Sequence, residues 1–123
     1  MARAARHGRE RLLGWRGERA ACRVLRARGY RLLGRNVRTP CGEVDLLAEH
    51  AGLLVLVEVK ATARAGAAPP LHALRDRQRR RLEAAGRWLC AQPALRRRGF
   101  RLDLVAVAFG KGAPVVSIRP DAL

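Results

Sequence analysis

The chain has 123 residues, enough for one domain with a buried core and too few for two. Lysine and arginine total 26 against 10 acidic residues, a formal net charge of +16, and self-repulsion on that scale predicts a polyanionic partner. No apolar run reaches the roughly 18 residues that span a bilayer, and no predicted helix sets a large apolar face against its basic one, so nucleic acid is favoured over a membrane surface.

Arginine carries nearly all of the charge, since lysine occurs only at Lys60 and Lys111. A drift in codon usage would enrich Arg and Ala together, yet counterion release on phosphate binding follows from so positive a surface whatever its origin. Cys22, Cys41 and Cys90 are odd in number and widely spaced, which fits reduced cytoplasmic thiols and neither a disulfide framework nor a zinc pattern.

In chain order, the opening MARAARHGRERLL is basic without the apolar centre of a secretory signal, and is expected to be a flexible arm over residues 1–13 ahead of a single domain over 14–123. A helix is predicted from about Gly14 to Arg28, with Ala21, Val24 and Leu25 at helical spacing and Gly29 placed just past its end. Tyr30 to Val37 reads as a strand. Gly42 to Ala48 and Leu53 to Lys60 are apolar runs separated by Glu49, His50, Ala51 and Gly52, the pattern of a hairpin. The second run is apolar on both faces until Glu58.

ATARAGAAPP, from Ala61 to Pro70, is read as a loop. A second helix is expected from Leu71 or Arg75 to Ala91, with Leu74, Leu82, Ala85 and Leu89 on one stripe and Pro93 beyond its end. Strands over Phe100 to Phe109 and Pro114 to Ile118 complete the order α-β-β-β-α-β-β, an α/β fold with a mixed sheet flanked by helices. Strand pairing beyond the hairpin is not readable from the sequence.

The chemistry is carried by Gly42-Glu43-Val44-Asp45 and Val57-Glu58-Val59-Lys60 on the two hairpin strands. Residues two apart share a face, so Glu43 joins Asp45 and Glu58 joins Lys60. A hairpin symmetric about His50 and Ala51 sets Glu58 opposite Glu43 and Leu56 opposite Asp45, leaving Asp45 and Glu58 as diagonal neighbours roughly 7 to 8 Å apart. Crowded carboxylates at the end of a buried strand need protons, salt bridges or a cation. Oxygen ligands suit Mg²⁺ or Mn²⁺, which hold phosphate oxygens in their open positions. Lys60 would then stand beside the attacking water or the scissile phosphate. The plainer alternative is a Glu58–Lys60 salt bridge with Asp45 as a strand-end charge.

Glu18 falls on the stripe of Ala21, Cys22 and Leu25, where a charge is costly unless paired. It is read as touching the metal directly or through water, as bonding an arginine, or as an acid favoured near a helix start. Gln78 shares the stripe of the second helix and is expected to orient water or phosphate, or else to be a satisfied amide at the core's edge. Arg77, Arg79, Arg80 and Arg81 around it, with Arg64 in the loop, are the candidate grip on a nucleic-acid backbone. With only Trp15, Tyr30, Trp88 and two Phe, a base-stacking platform for single strands has little support.

Gly14, Gly17-Glu18, Ala21, Leu25, Gly29-Tyr30, Asn36, the Gly42–Asp45 and Val57–Lys60 segments and Leu102-Asp103 together resemble the YraN-like bacterial proteins, over about Gly14 to Val107. That family resembles a minimal PD-(D/E)xK nuclease, restriction-endonuclease-like in fold and similar in layout to archaeal Holliday junction resolvases. The resemblance implies that Asp45 and Glu58 bind metal, that Lys60 is the catalytic lysine and that Glu18 is the helix-one acid. Glu43 matches the family motif, and Gln78 matches a Lys-Gln pair whose lysine is here Arg77. The implied activity is a Mg²⁺- or Mn²⁺-dependent DNA endonuclease, with branched or junction DNA as the finer expectation. Paired cuts would call for a homodimer. The competing expectation is a non-catalytic nucleic-acid-binding module in a repair or ribonucleoprotein complex.

Overall fold

The computed structural model describes residues 2–63, 76–95 and 99–121. Its first helix, α1, runs Ala2–Ala27, twelve residues further toward the N-terminus than the apolar periodicity predicts. That periodicity marks only the part packed on the sheet. The basic stretch before it is rich in Ala and Arg, both strong helix formers, and continues the helix on propensity. At the other end Tyr30 N–H reaches Leu25 C=O at 3.0 Å and Gly29 N–H reaches Arg26 C=O at 3.1 Å, a Schellman stop with Gly29 at φ 87°. Leu25 and Tyr30 are both buried in the core below it.

Three strands follow, β1 (Arg31–Thr39), β2 (Gly42–His50) and β3 (Leu53–Thr62), then helix α2 (Asp76–Cys90), a 3₁₀ turn (Pro93–Leu95), β4 (Phe100–Ala108) and β5 (Val115–Arg119). They form the expected order and one mixed five-stranded sheet, β1-β2-β3-β4-β5. All pairs are antiparallel except β3 with β4, which α2 joins in parallel, as a crossover connection allows. Leu74 and the start of the second helix before Asp76 lie outside the described residues.

Central β3 is covered on both faces, with Leu54, Val55, Leu56 and Val57 at most 1% exposed. Leu54 and Leu56 pack with Leu82, Ala85 and Leu89 of α2, whereas Val55 and Val57 pack with Ala21, Cys22 and Leu25 of α1. Because alternate residues of a strand face opposite ways, the two helices lie on opposite sides of the sheet. Gly17 is what lets α1 approach, since a Cβ there would lie 2.7 Å from that of Ala61.

The hairpin register differs from the expected one. Ala51 and Gly52 both have positive φ, 52° and 77°, so they form a tight two-residue turn of type I′. His50 therefore pairs with Leu53 and Leu46 with Val57, which carries the register two residues away from symmetry about His50 and Ala51.

Candidate metal and phosphate site

Continuing that register brings Asp45 level with Glu58, directly across the hairpin instead of diagonal to it. The ladder itself stops at Leu46 and Val57, because the next N–H of β3 that faces β2, that of Val59, is donated to Asp45 Oδ2 at 2.9 Å. The side chain has replaced a main-chain acceptor. A second irregularity sits beside it. Val44 packs on the α2 side and Leu46 on the α1 side, although residues two apart should share a face. Asn36, level with Asp45 between the pairs Arg35–Leu46 and Val37–Val44, has φ 48°, a conformation that Asn tolerates better than most residues. Alternation thus breaks at Asp45, and its carboxylate reaches along the sheet toward β3.

Glu58 is 7% exposed. Its Oε1 accepts from Gln78 Nε2 of α2 at 2.7 Å and from Lys60 Nζ at 3.3 Å, while the Lys60 side chain stays about half exposed, at 51%. Arg81 donates to the Glu43 carbonyl at 2.8 Å, tying α2 to the start of β2. Glu18, half-buried on α1, lies near the Asn36 side chain, which favours its charged form. The sheet end is therefore lined from both helices and from β1, β2 and β3.

Burial, and then the charge of Asp45, pushes the Glu58 carboxyl above its ordinary pKa, with Lys60 and Arg81 opposing. Asp45 is raised by burial too, against the Val59 N–H and Lys60, with Glu43 adding repulsion. Glu18 is raised by burial and next by Asp45. Three carboxyls held toward neutrality by burial and by one another form a place short of positive charge. Among the described residues no three Asp, Glu, His or Cys side chains converge as a ready cage. Glu18 stands close enough to feel Asp45 but does not complete a three-acid group. Two carboxylates, Asp45 and Glu58, could serve as donors, which is the number Mg²⁺ commonly takes while keeping its waters.

Of the candidate backbone-gripping residues, Arg77 and Arg80 are exposed. Arg79 is half-buried near Asp76, 3.7 Å away, and Arg81 is engaged with β2. Arg64 lies outside the described residues. Asn36 and Arg81 acquire roles at the site that spacing alone did not assign; an Asn inside a strand was the available signal for the first, and nothing local marked the second.

The sequence profile of "Uncharacterised protein family UPF0102" matches residues 17–107. Similar proteins include a "UPF0102 protein" of Caulobacter sp. (strain K31), 46% identical over 108 residues, spanning 87% of this chain and 76% of the relative. Another, from Clavibacter michiganensis subsp. michiganensis, is 46% identical over 116 residues, 93% of this chain and 98% of the relative. A third, from Syntrophotalea carbinolica, is 38% identical over 95 residues and covers 77% of each.

Proposed function

We propose that this chain, which belongs to the uncharacterised protein family UPF0102, is a metal-dependent endonuclease that hydrolyses phosphodiester bonds of nucleic acid, DNA in the first instance. The observation that carries the reading is the facing pair Asp45 and Glu58, both raised by burial and by nearby acids, with Lys60 and Gln78 on the second carboxylate. Asp45 and Glu58 would hold Mg²⁺ or Mn²⁺, which supplies an activated water and neutralises charge on the phosphate. The Val59 N–H fixes one oxygen of Asp45. Gln78 holds Glu58 in orientation from the opposite helix. Lys60, half exposed beside Glu58, is set to hold a phosphate oxygen or to orient the attacking water. The exposed Arg77 and Arg80 supply sequence-independent backbone contacts. The order of these motifs resembles the PD-(D/E)xK nucleases, which supports a branched or junction substrate as the finer reading, and a homodimer where two cuts are paired.

One observation favours the competing binding-module reading. Glu58 is already satisfied by Lys60 and Gln78, as in a structural ion pair. A cleavage panel separates the two: linear, nicked, flapped and four-way DNA and RNA, with Mg²⁺, Mn²⁺ or chelator, beside Asp45→Ala. Metal-dependent cutting lost in Asp45→Ala supports the nuclease. Tight binding with no cutting of any substrate in either metal supports the module.

A further inference from the structure

We propose that α1 carries a second face for nucleic-acid backbone, opposed to that of α2, so that one molecule holds two duplex segments at once. The inference rests on the nucleic-acid reading above but not on cleavage. Arg9, Leu12, Arg16, Arg19, Arg23 and Arg26 follow one another at alternating steps of three and four residues and are all exposed. They therefore form a single stripe along the helix, about 25 Å long at 1.5 Å per residue. No acid interrupts it. Like charges three and four residues apart repel and destabilise a helix, a cost that a polyanion lying along the stripe would relieve.

Two of these guanidinium groups are held in place by rings: Arg16 lies 4.6 Å from the centre of Phe109 and Arg19 4.8 Å from that of Trp15. The guanidinium groups of Arg23 and Arg26 make no hydrogen bond or ion pair with a described residue. Gly17 packs over Val59 and Ala61, near the end of β3, so the turns before it run past the sheet, where Leu12 and Trp15 are 54% and 51% exposed. A rigid basic ridge of this kind matches the regular charge of a duplex, about one phosphate per 1.7 Å.

From Ala20 to Leu25 the inner, apolar side of α1 is spent on the sheet. It cannot lie face-down in a lipid interface as a free amphipathic helix does. Because α1 and α2 cover opposite faces of the sheet, their exposed arginines point away from each other, with Arg77, Arg80 and Arg87 on the far side. A straight duplex against α2 leaves the α1 stripe open.

The test is a bridging assay on the whole chain with chelator present. One short duplex is immobilised, protein is added, and retention of a second, fluorescent duplex is read. The variants are Arg19→Glu with Arg23→Glu, a milder Arg23→Ala with Arg26→Ala, and Arg77→Ala with Arg80→Ala, each checked by its melt. Wild type is expected to bridge; the charge-reversed α1 variant should keep binding to one duplex and lose bridging by about tenfold or more, with a shallower salt dependence. The milder variant should fall between. Bridging unchanged in both α1 variants overturns the proposal and leaves the nuclease reading intact, whether a dimer or α2 alone does the bridging. Anionic lipid vesicles run in parallel: α1 variants that lose vesicle binding and keep bridging overturn it in favour of a membrane face. A wild type that binds no duplex removes the nucleic-acid reading itself.

Discussion

Asp45 and Glu58 are carboxyls whose ionisation opposes folding and which the proposed nuclease would use to hold its metal. Both are raised, chiefly by burial, so the neutral form is the one the fold prefers, and their contribution to stability is complete below the ordinary carboxylate range and lost as pH rises from there through their raised values. At neutral pH the ionised pair is a liability in the metal-free protein. Asp45→Asn and Glu58→Gln are therefore expected to melt at the same temperature as wild type or higher at pH 7 without metal, and to lose that advantage in acid. Metal-dependent cleavage should fall about 10²-fold or more in both. Melts at titrated Mn²⁺ check the idea: a wild type unmoved by metal, with variants that melt lower, would make these acids structural partners. Tyr30 gives the opposite end of the pH scale. Burial, and then its hydrogen bond to Asp103 at 2.6 Å, raises its pKa to about 12. The stability it contributes is complete below about pH 10, its unfolded value, and lost as pH rises through about 12. Tyr30→Phe should be the less stable protein at pH 8, and its deficit against wild type should shrink across that alkaline window in chemical denaturation.

At the level of elements, the sheet ends are organised by two unlike polar clusters. Around Asp103, which is 1% exposed, Arg101 gives a two-point contact at 2.7 and 2.9 Å, Tyr30 its hydroxyl and Asp121 its N–H at 3.0 Å. His50 stacks on Tyr30 at 4.1 Å and meets Arg101 through Nδ1 at 3.0 Å. The end of α1, the hairpin tip, β4 and the C-terminal turn are thereby tied together, with each buried charge answered. The acid cluster at the other end is left short of cations. Helix packing tolerates little change: Gly86 of α2 rests on the ring of Phe100, where an added Cβ would collide. Gly86→Ala is expected to cost about 1–3 kcal/mol by overpacking, and Gly29→Ala about 1 kcal/mol through its left-handed backbone. Denaturant midpoints measure both, and a Gly86→Ala as stable as wild type would mean that α2 can lift off the sheet.

For the molecule as a whole, a charge of +16 makes association the dominant electrostatic event. Duplex affinity is expected to fall by about 10²-fold or more between roughly 50 and 200 mM salt, and Arg77→Ala with Arg80→Ala should weaken it for all sequences alike. Affinity indifferent to salt would discard the polyanion argument. Light scattering with and without branched DNA tests the homodimer, which monomer in every condition would exclude. No helix among the described residues is long and apolar enough to cross a membrane.

The order of elements was legible in the amino-acid sequence, because apolar spacing, the Gly29 stop and the runs on either side of the hairpin turn are local signals that tertiary packing had no reason to override. Also legible was which acids belong together, since Asp45 and Glu58 lie on neighbouring strands in any register near the right one. Their alignment, by contrast, came from the fold. The positive φ of Ala51 could not be read from an ordinary alanine, and it moved the register by two residues. Long-range partners were equally out of reach. Gln78 on Glu58, Arg81 on the Glu43 carbonyl and Tyr30 on Asp103 join residues 20, 38 and 73 positions apart, and such contacts depend on how α1 and α2 dock on opposite faces of the sheet. Periodicity reports which side of an element is buried; it carries no information about what lies on the other side of that contact.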